Sequence, residues 1–568
     1  MPVTVLGLFC GPLHGDSFDD GLALVPADSI GAFVVPSAKR LSDELTTALE
    51  RVDRAEVLLV GRPLDLIKAR LGVAVGLRDD GAVVGVIRKI AGTADPIPVL
   101  FVPVNDPALF RSGNFKAAAD ATTLTLPNGQ GELSARDVVG PPVEGVARMW
   151  VALSRVPAGV EGLDVDPKRA APLRARLGEK GTRLMARADC LMWLEGSAIA
   201  ESMVRSPAFA AAGAGAVELS PEAAARAQQF TDETATRVAA GVEIAALTID
   251  IDALGILGRG LVRFRKESEL GALFAGGVEG EKATAPLDAL PDQAFYGALG
   301  IDMAGLGGLA PLRVILPGLL EAVDPKVLAA LDSLNSVAFG VFPSKLGIAQ
   351  GGMLNDAALV LRMSEAETAR VLIRDAFLSL AGDVGGVRRA PRWDSDRTVK
   401  DSGTADGFEL VETPILGVAP APNAAMVAIV RTALFGSRGL HGLIKPFDGG
   451  LVLTFSQRPD VWRRATAAAT AVPATGLGTN AVMVAMREFM LERPDLEGFL
   501  SMTALGRLAK QLAGLVPGAA DTLPSLEFGP EPIGFALEID NHEAEAAVVI
   551  PSGVLGVALD VVREREQE

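Results

Sequence analysis

Residues 242–264, VEIAALTIDIDALGILGRGLVRF, decide the fold class. Apolar and polar side chains alternate through TIDID (248–252), a short turn with Ala253, Leu254 and Gly255 follows, and a second apolar run completes the stretch. Period-two alternation on both sides of a short turn predicts an antiparallel β-hairpin rather than a strand waiting for a helical crossover. The acids Asp250 and Asp252 lie two residues apart, so both project from one face of the first strand. Strict alternation of this kind predicts an exposed acidic face, with Ile249 and Ile251 turned toward the core.

The same arrangement returns near the C-terminus. PIGFALEIDNHEAEAAVVIPSGVLGVAL (532–559) again reads as strand, turn, strand and apolar ending, with Glu538 and Asp540 where Asp250 and Asp252 stand. Leu537 and Ile539 are the matching core positions, and His542 is expected beside Asp540.

Three further pairs occur in the same order. PIPVLFVPVNDPALF (96–110) and MSEAETARVLIRDAFLSL (363–380) each lead into a capped helix, by Asn105 or Asp106 before Pro107 and by a Ser364–Glu367 capping box. LDVDPKRAAPLRARLG (163–178) and FSQRPDVWRRATAAA (455–469) each open a basic helix on a proline. CLMWLEGSAIAESMV (190–204) and FLSMTALGRLAKQL (499–512) each turn from an extended run into a helix.

Four ordered matches predict two tandem copies of one unit, residues 22–283 and 284–568, after an N-terminal segment 1–21. The spacing between matched segments changes across GDVGGVRRAPRWDSDRTVKDSGTADG (382–407), which reads as a polar insertion in the second unit. Arg78-Asp-Asp-Gly81, between LGVAVGL and AVVGVI, adds a second hairpin signal. The expected class is therefore α+β: two copies of a mainly antiparallel sheet with helices packed on one face.

LALVPADSIGAFVVPSAKRLSDELTTALERV (22–52), the paired segments around LTIDIDALG and LEIDNHEAE, and LPDQAFYGALGIDM (290–303) together resemble a class of large, uncharacterised exported proteins of planctomycete-type bacteria. In that class Pro26-Ala27-Asp28 would follow a leader, so the resemblance implies an extracytoplasmic setting. It brings no catalytic residues. Residues 3–10 are apolar and read as a degraded leader, in which Cys10 follows Phe9 rather than the small residue a lipidated cysteine requires.

Composition narrows the chemistry. The chain has 568 residues, 49% hydrophobic and 22% charged, with 53 Lys and Arg against 70 Asp and Glu. A net charge of −17 opposes binding to a polyanion, because phosphate neutralisation needs clustered cations. The short basic groups, Arg388, Arg389 and Arg392 in a polar loop and Arg263, Arg265 and Lys266 around a strand, read as solvated faces. Apolar runs such as AAMVAIVRTALF (424–435) are broken by charge before the ~18 residues of a membrane span. Cys10 and Cys190 form no disulfide framework.

HGDSFDDG (14–21) spells the nucleophile loop of a GDSL-type serine esterase, with Ser17 at the reactive position. A reactive serine needs a base and an acid to orient it. That family supplies them from an Asp-x-x-His block. Residues three before His14, His441 and His542 are Gly11, Arg438 and Ile539, so no such block exists, and HGDSFDDG reads as a polar joint. NHEAEA (541–546) lacks the second histidine of a zinc helix, DSDRTV (394–399) lacks the glycine of a calcium loop, and no P-loop occurs. Neither metal nor cofactor is expected. The reading is a non-enzymatic binding or scaffold protein, with a carrier of an apolar ligand next and a GDSL-like hydrolase third. Its partner is a protein or an apolar small molecule, and Asp250, Asp252, Glu538 and Asp540 are the candidate binding residues.

Overall fold

The computed structural model describes residues 17–51, 62, 64–65, 68, 73, 75–93, 95–115, 121–126, 131–140, 148–205, 221–252, 254–275, 286–308, 325–384, 386–416, 424–471, 475–514 and 528–557. The chain divides into two compact α+β units, Met1–Ala272 and Leu273–Glu568.

In the first unit the strands are β1 (Ser29–Val35), β2 (Val83–Arg88), β3 (Ile97–Val104), β4 (Thr123–Thr125), β5 (Glu132–Val139), β6 (Met149–Ser154), β7 (Cys190–Glu195), β8 (Val242–Ile251) and β9 (Gly255–Phe264). Their lateral order is β9-β8-β7-β1-β2-β3-β6-β5-β4, and each of these pairings is antiparallel. The hairpin read from residues 242–264 is β8–β9, turned by Asp252, whose carboxylate accepts the N–H groups of Leu254 and Gly255.

The second unit comprises β10 (Gly297–Asp302), β11 (Leu334–Val341), β12 (Ala358–Met363), β13 (Gly382–Val384), β14 (Val387–Thr398), β15 (Thr404–Pro414), β16 (His441–Phe447), β17 (Gly450–Thr454), β18 (Leu496–Leu500), β19 (Ile533–Asp540) and β20 (Glu543–Pro551). Its order is β20-β19-β18-β10-β11-β12-β17-β16-β15-β14-β13, again antiparallel at each of these steps.

Helices cover both faces of the first sheet, not one. Successive strand residues point to opposite faces. In β6, Trp150 and Ala152 join a core with Val34, Val84, Phe101, Ile244 and the helical residues Leu173, Leu177 and Met185. The alternate residues Val151 and Leu153 pack instead with Phe110 of helix Pro107–Asn114. A strand buried on both sides has no solvated face left to alternate, and five of six β6 residues are buried. In the second unit, helix Ala366–Leu378 brings Phe377 against Leu451, Leu453 and Phe408.

Three local expectations change. The segment 382–407 is not a loop: its described residues include β13, β14 and the start of β15, and Arg388, Arg389 and Arg392 stand on β14. Cross-strand apolar contact explains this, since Trp393 and Phe408 stack at 6.1 Å and Phe377 closes on both. The described residues of LGVAVGL, 73 and 75–77, do not pair with β2: β1 and β3 occupy both edges of that strand, and Leu77 makes an isolated bridge to Val104. The Ser364–Glu367 box is not formed: Glu365 occupies the N-cap position without a side-chain bond to the helix backbone, and the Glu367 carboxylate bonds Arg370. Asp106, by contrast, accepts the Ala108 and Leu109 N–H groups ahead of Pro107 as expected.

Candidate functional site

Ser17 is a helix cap. Its Oγ accepts the Asp20 N–H at 3.3 Å, and Asp20 Oδ2 accepts the Ser17 N–H at 2.8 Å, the reciprocal pair of a capping box on helix Phe18–Leu22. Arg148 holds the same carboxylate at 2.8 Å, and Arg174 pairs with Asp19. Burial raises the Asp20 pKa, but the Ser17 and Arg148 contacts outweigh it and hold the carboxyl below its ordinary value. Phe18 and Leu22 enter the first unit's core, so SFDDG (17–21) belongs to the packed unit rather than to a joint ahead of Leu22. The first three residues of HGDSFDDG, His14 among them, lie outside the described residues, as does Cys10. Both remaining histidines belong to the second unit: His441 is buried with Nδ1 on the Gly439 carbonyl oxygen at 2.7 Å, and His542 is in a turn.

The four acidic candidates fall two in each unit, Asp250 and Asp252 in the first and Glu538 and Asp540 in the second. Along β8, Val242, Ile244, Ala246 and Thr248 are buried, and Asp250 continues that face, whereas Leu247 is exposed. Asp250 is half-buried on the side that helix Ala170–Met185 covers, while Ile251 is buried as expected, so the acid does not stand on a solvated face. Asp252 serves the turn described above. In the second unit, Glu538 lies opposite Glu545 and Asp540 opposite Glu543. His542 is not beside Asp540 on the strand: with Asn541 it makes the two-residue turn, both residues at positive φ. Two positive-φ residues match the twist of a tight hairpin, and asparagine tolerates that region.

Two buried aspartates, absent from the sequence reading, organise these hairpins. Asp189 donates its N–H to the Ile249 carbonyl at 2.8 Å and accepts the Ile251 N–H on Oδ2 at 2.9 Å. Asp495 does the same with Leu537 and Ile539, at 2.8 and 2.6 Å. Each precedes a strand by one residue, and only the shared Asp before DCLMWL (189–194) and DLEGFL (495–500) signals them.

Around Asp189 the charges converge. Arg40 binds its Oδ1, and Glu44 sits one helical turn beyond Arg40, 3.2 Å from the guanidinium. Burial first, then the neighbouring Asp189 carboxylate, push the Glu44 pKa from 4.5 up to about 8, against the pull of Arg40. Asp250 is raised by burial and by Asp189 and Asp252. Asp250 also lines a shallow, solvent-open cleft with Arg183, Arg187, Thr248, Leu257 and Arg259.

The other face of the first sheet carries a contiguous apolar row. Phe33, Met192 and Leu247 are direct cross-strand neighbours on β1, β7 and β8, and they are 38%, 40% and 38% exposed. The corresponding places in the second sheet's strand order hold Leu299, Gly498, Phe535 and Val548, with Val548 40% exposed. No group of His, Cys, Asp or Glu suited to a metal ion occurs among the described residues, and no described helix is long and apolar enough to cross a membrane. Compared with known proteins, the chain matches no family model, no curated protein and no solved structure.

Proposed function

We propose that the chain is a non-enzymatic binding or scaffold protein, extracytoplasmic in setting, built as tandem copies of one unit that present an open apolar sheet face to a protein partner. Support for duplication comes from β9-β8-β7-β1-β2-β3-β6 and β20-β19-β18-β10-β11-β12-β17, which run in the same order with the same senses. The Asp189 and Asp495 bonds fall at matched places in that order. Strands β13 and β14 extend the second copy at its edge.

The observation that carries the binding reading is the row Phe33–Met192–Leu247. Exposed large side chains scattered singly need no explanation, but three joined across adjacent strands form a patch of the kind that marks interaction sites. A flat row suits a protein surface better than a small apolar ligand, which needs a concavity to enclose it. The described cleft is lined by arginines and so does not favour an apolar cargo.

Native mass spectrometry of the full chain purified from its own host tests this. The expected result is a bound protein in the wild type that is lost from Met192→Glu, while the thermal midpoint stays unchanged. A bare monomer in both forms would overturn the reading. A lipid retained by the wild type and lost from the variant would replace the scaffold by the carrier.

A further inference from the structure

We infer that the open face of the first sheet is a self-association surface, on which a second copy of this chain docks sheet against sheet about a two-fold axis between β8 and β9. This rests on the open-face reading above and names the partner. The row Phe33–Met192–Leu247 ends on a glycine at each side: Gly85 of β2 lies opposite Phe33, and Gly260 of β9 opposite Leu247. Direct cross-strand neighbours share a face. The adjoining row on that face, Ile87–Gly31–Leu194–Ala245–Val262, is apolar throughout as well.

The two flanking glycines differ in what lies over them. At Gly85 the Phe33 ring already occupies the space where a Cβ would stand. At Gly260 that space is open: among the described residues only the Ala246 carbonyl oxygen comes near, at 3.9 Å, and the backbone is not left-handed. Neither crowding nor a turn within the unit therefore requires glycine there. A glycine inside a strand weakens it, and marks a place where a ligand or another backbone comes close.

The neighbour of that hollow selects the partner. Leu247 protrudes, 38% exposed, directly beside Gly260. A surface with a knob and a hollow side by side complements itself: a two-fold axis between the two strands sets each Leu247 over the other copy's Gly260, one contact made twice. Charge favours the same pairing. At a net charge of −17 two copies repel wherever their charged surfaces meet, so they can join only on an uncharged one. Both rows lack ionisable side chains, and charges from the same strands turn to the opposite side. Glu195 pairs with Arg176 at 3.0 Å, and Arg263 bonds the Ala175 carbonyl oxygen at 3.2 Å, both on helix Ala170–Met185. Apolar sheet faces packed on each other in this way form the interior of β-sandwiches. Such a contact closes on itself, so association stops at the dimer.

Sedimentation velocity of the recombinant full-length chain, from nanomolar to high micromolar concentration, tests this with Gly260→Leu, Leu247→Ala and the two combined. The expected result is a reversible monomer–dimer equilibrium whose dissociation constant rises about tenfold or more in either single variant. The thermal midpoint of Gly260→Leu should be no lower than that of the wild type, because its side chain enters open space. In the combined variant the larger residue 260 meets the smaller residue 247, and most of the lost affinity should return. A monomer throughout the range, growth beyond the dimer, or a dimer indifferent to both single substitutions would overturn the inference. A monomeric recombinant chain that still holds a different host protein, lost on Met192→Glu, would reject the second copy and leave the open-face reading standing.

Discussion

Asp189 shows how much one side chain can hold. It is 3% exposed, and its carboxylate joins the Ile251 N–H of β8 to Arg40. Replacing it with alanine removes the acceptor and strands a buried N–H, a loss of about 1–3 kcal/mol. Asp495→Ala should cost the same order through Ile539, and urea unfolding of each variant measures both. Glu44 makes the neighbourhood pH-sensitive. Its folded pKa lies above the unfolded value, so its contribution to stability is fully present below about 4.5 and is lost as pH rises through about 8. Thermal midpoints should therefore fall across that window in the wild type, and Glu44→Gln should flatten the fall. Equal slopes in the two proteins would refute the assignment. None of this was legible in the sequence, because Arg40, Glu44, Asp189 and Asp250 are brought together only by pairing of distant strands. Ser17 illustrates the opposite case: missing partners argued correctly against a nucleophile, yet the Ser-x-x-Asp spacing of a cap went unread.

At the scale of strands and helices, glycines shape the open face. A Cβ on Gly85 would come within 2.0 Å of the Phe33 ring, and one on Gly498 within 2.1 Å of Phe535. In both sheets an aromatic ring lies over the bare backbone of its neighbour. Gly85→Ala should lose about 1–3 kcal/mol by overpacking. Adding Phe33→Ala should return part of that loss, so a double-mutant cycle reads the coupling directly; additivity would show that the ring is not the cause. Hairpins such as β8–β9 were legible because period two and a short turn are local signals. The burial direction of Asp250 was not, since alternation identifies two faces without saying which one a helix will cover. Arg-rich 387–398 read as a loop for a related reason: its strand depends on Trp393 meeting Phe408, fifteen residues away in sequence.

Each unit contains apolar clusters of its own, the first around Val34, Phe101 and Ile244 and the second around Ile444, Leu451 and Phe377. Chains spanning 17–272 and 273–568 should therefore each unfold cooperatively in urea when produced separately, checked by circular dichroism. Failure of either to fold would mean that the units depend on one another. The matched segments led to an expected division between residues 283 and 284, and the chain divides into compact units between Ala272 and Leu273.

Strands β13 and β14 carry a consequence for behaviour in solution. Strand β13 covers only Val387–Arg389 of β14, leaving the outer edge of residues 390–398 without a partner strand among the described residues. That edge carries Pro391, the charges Arg392 and Asp394, and an irregular register between Asp394 and Arg397 with Asp396 at positive φ. Proline, charge and bulges are what keep an open sheet margin from recruiting another chain. The added hairpin thus works as an end-stop against polymer growth. Replacing Pro391 and Arg392 with valine should yield concentration-dependent fibres or oligomers in light scattering, where the unmodified chain stays dispersed.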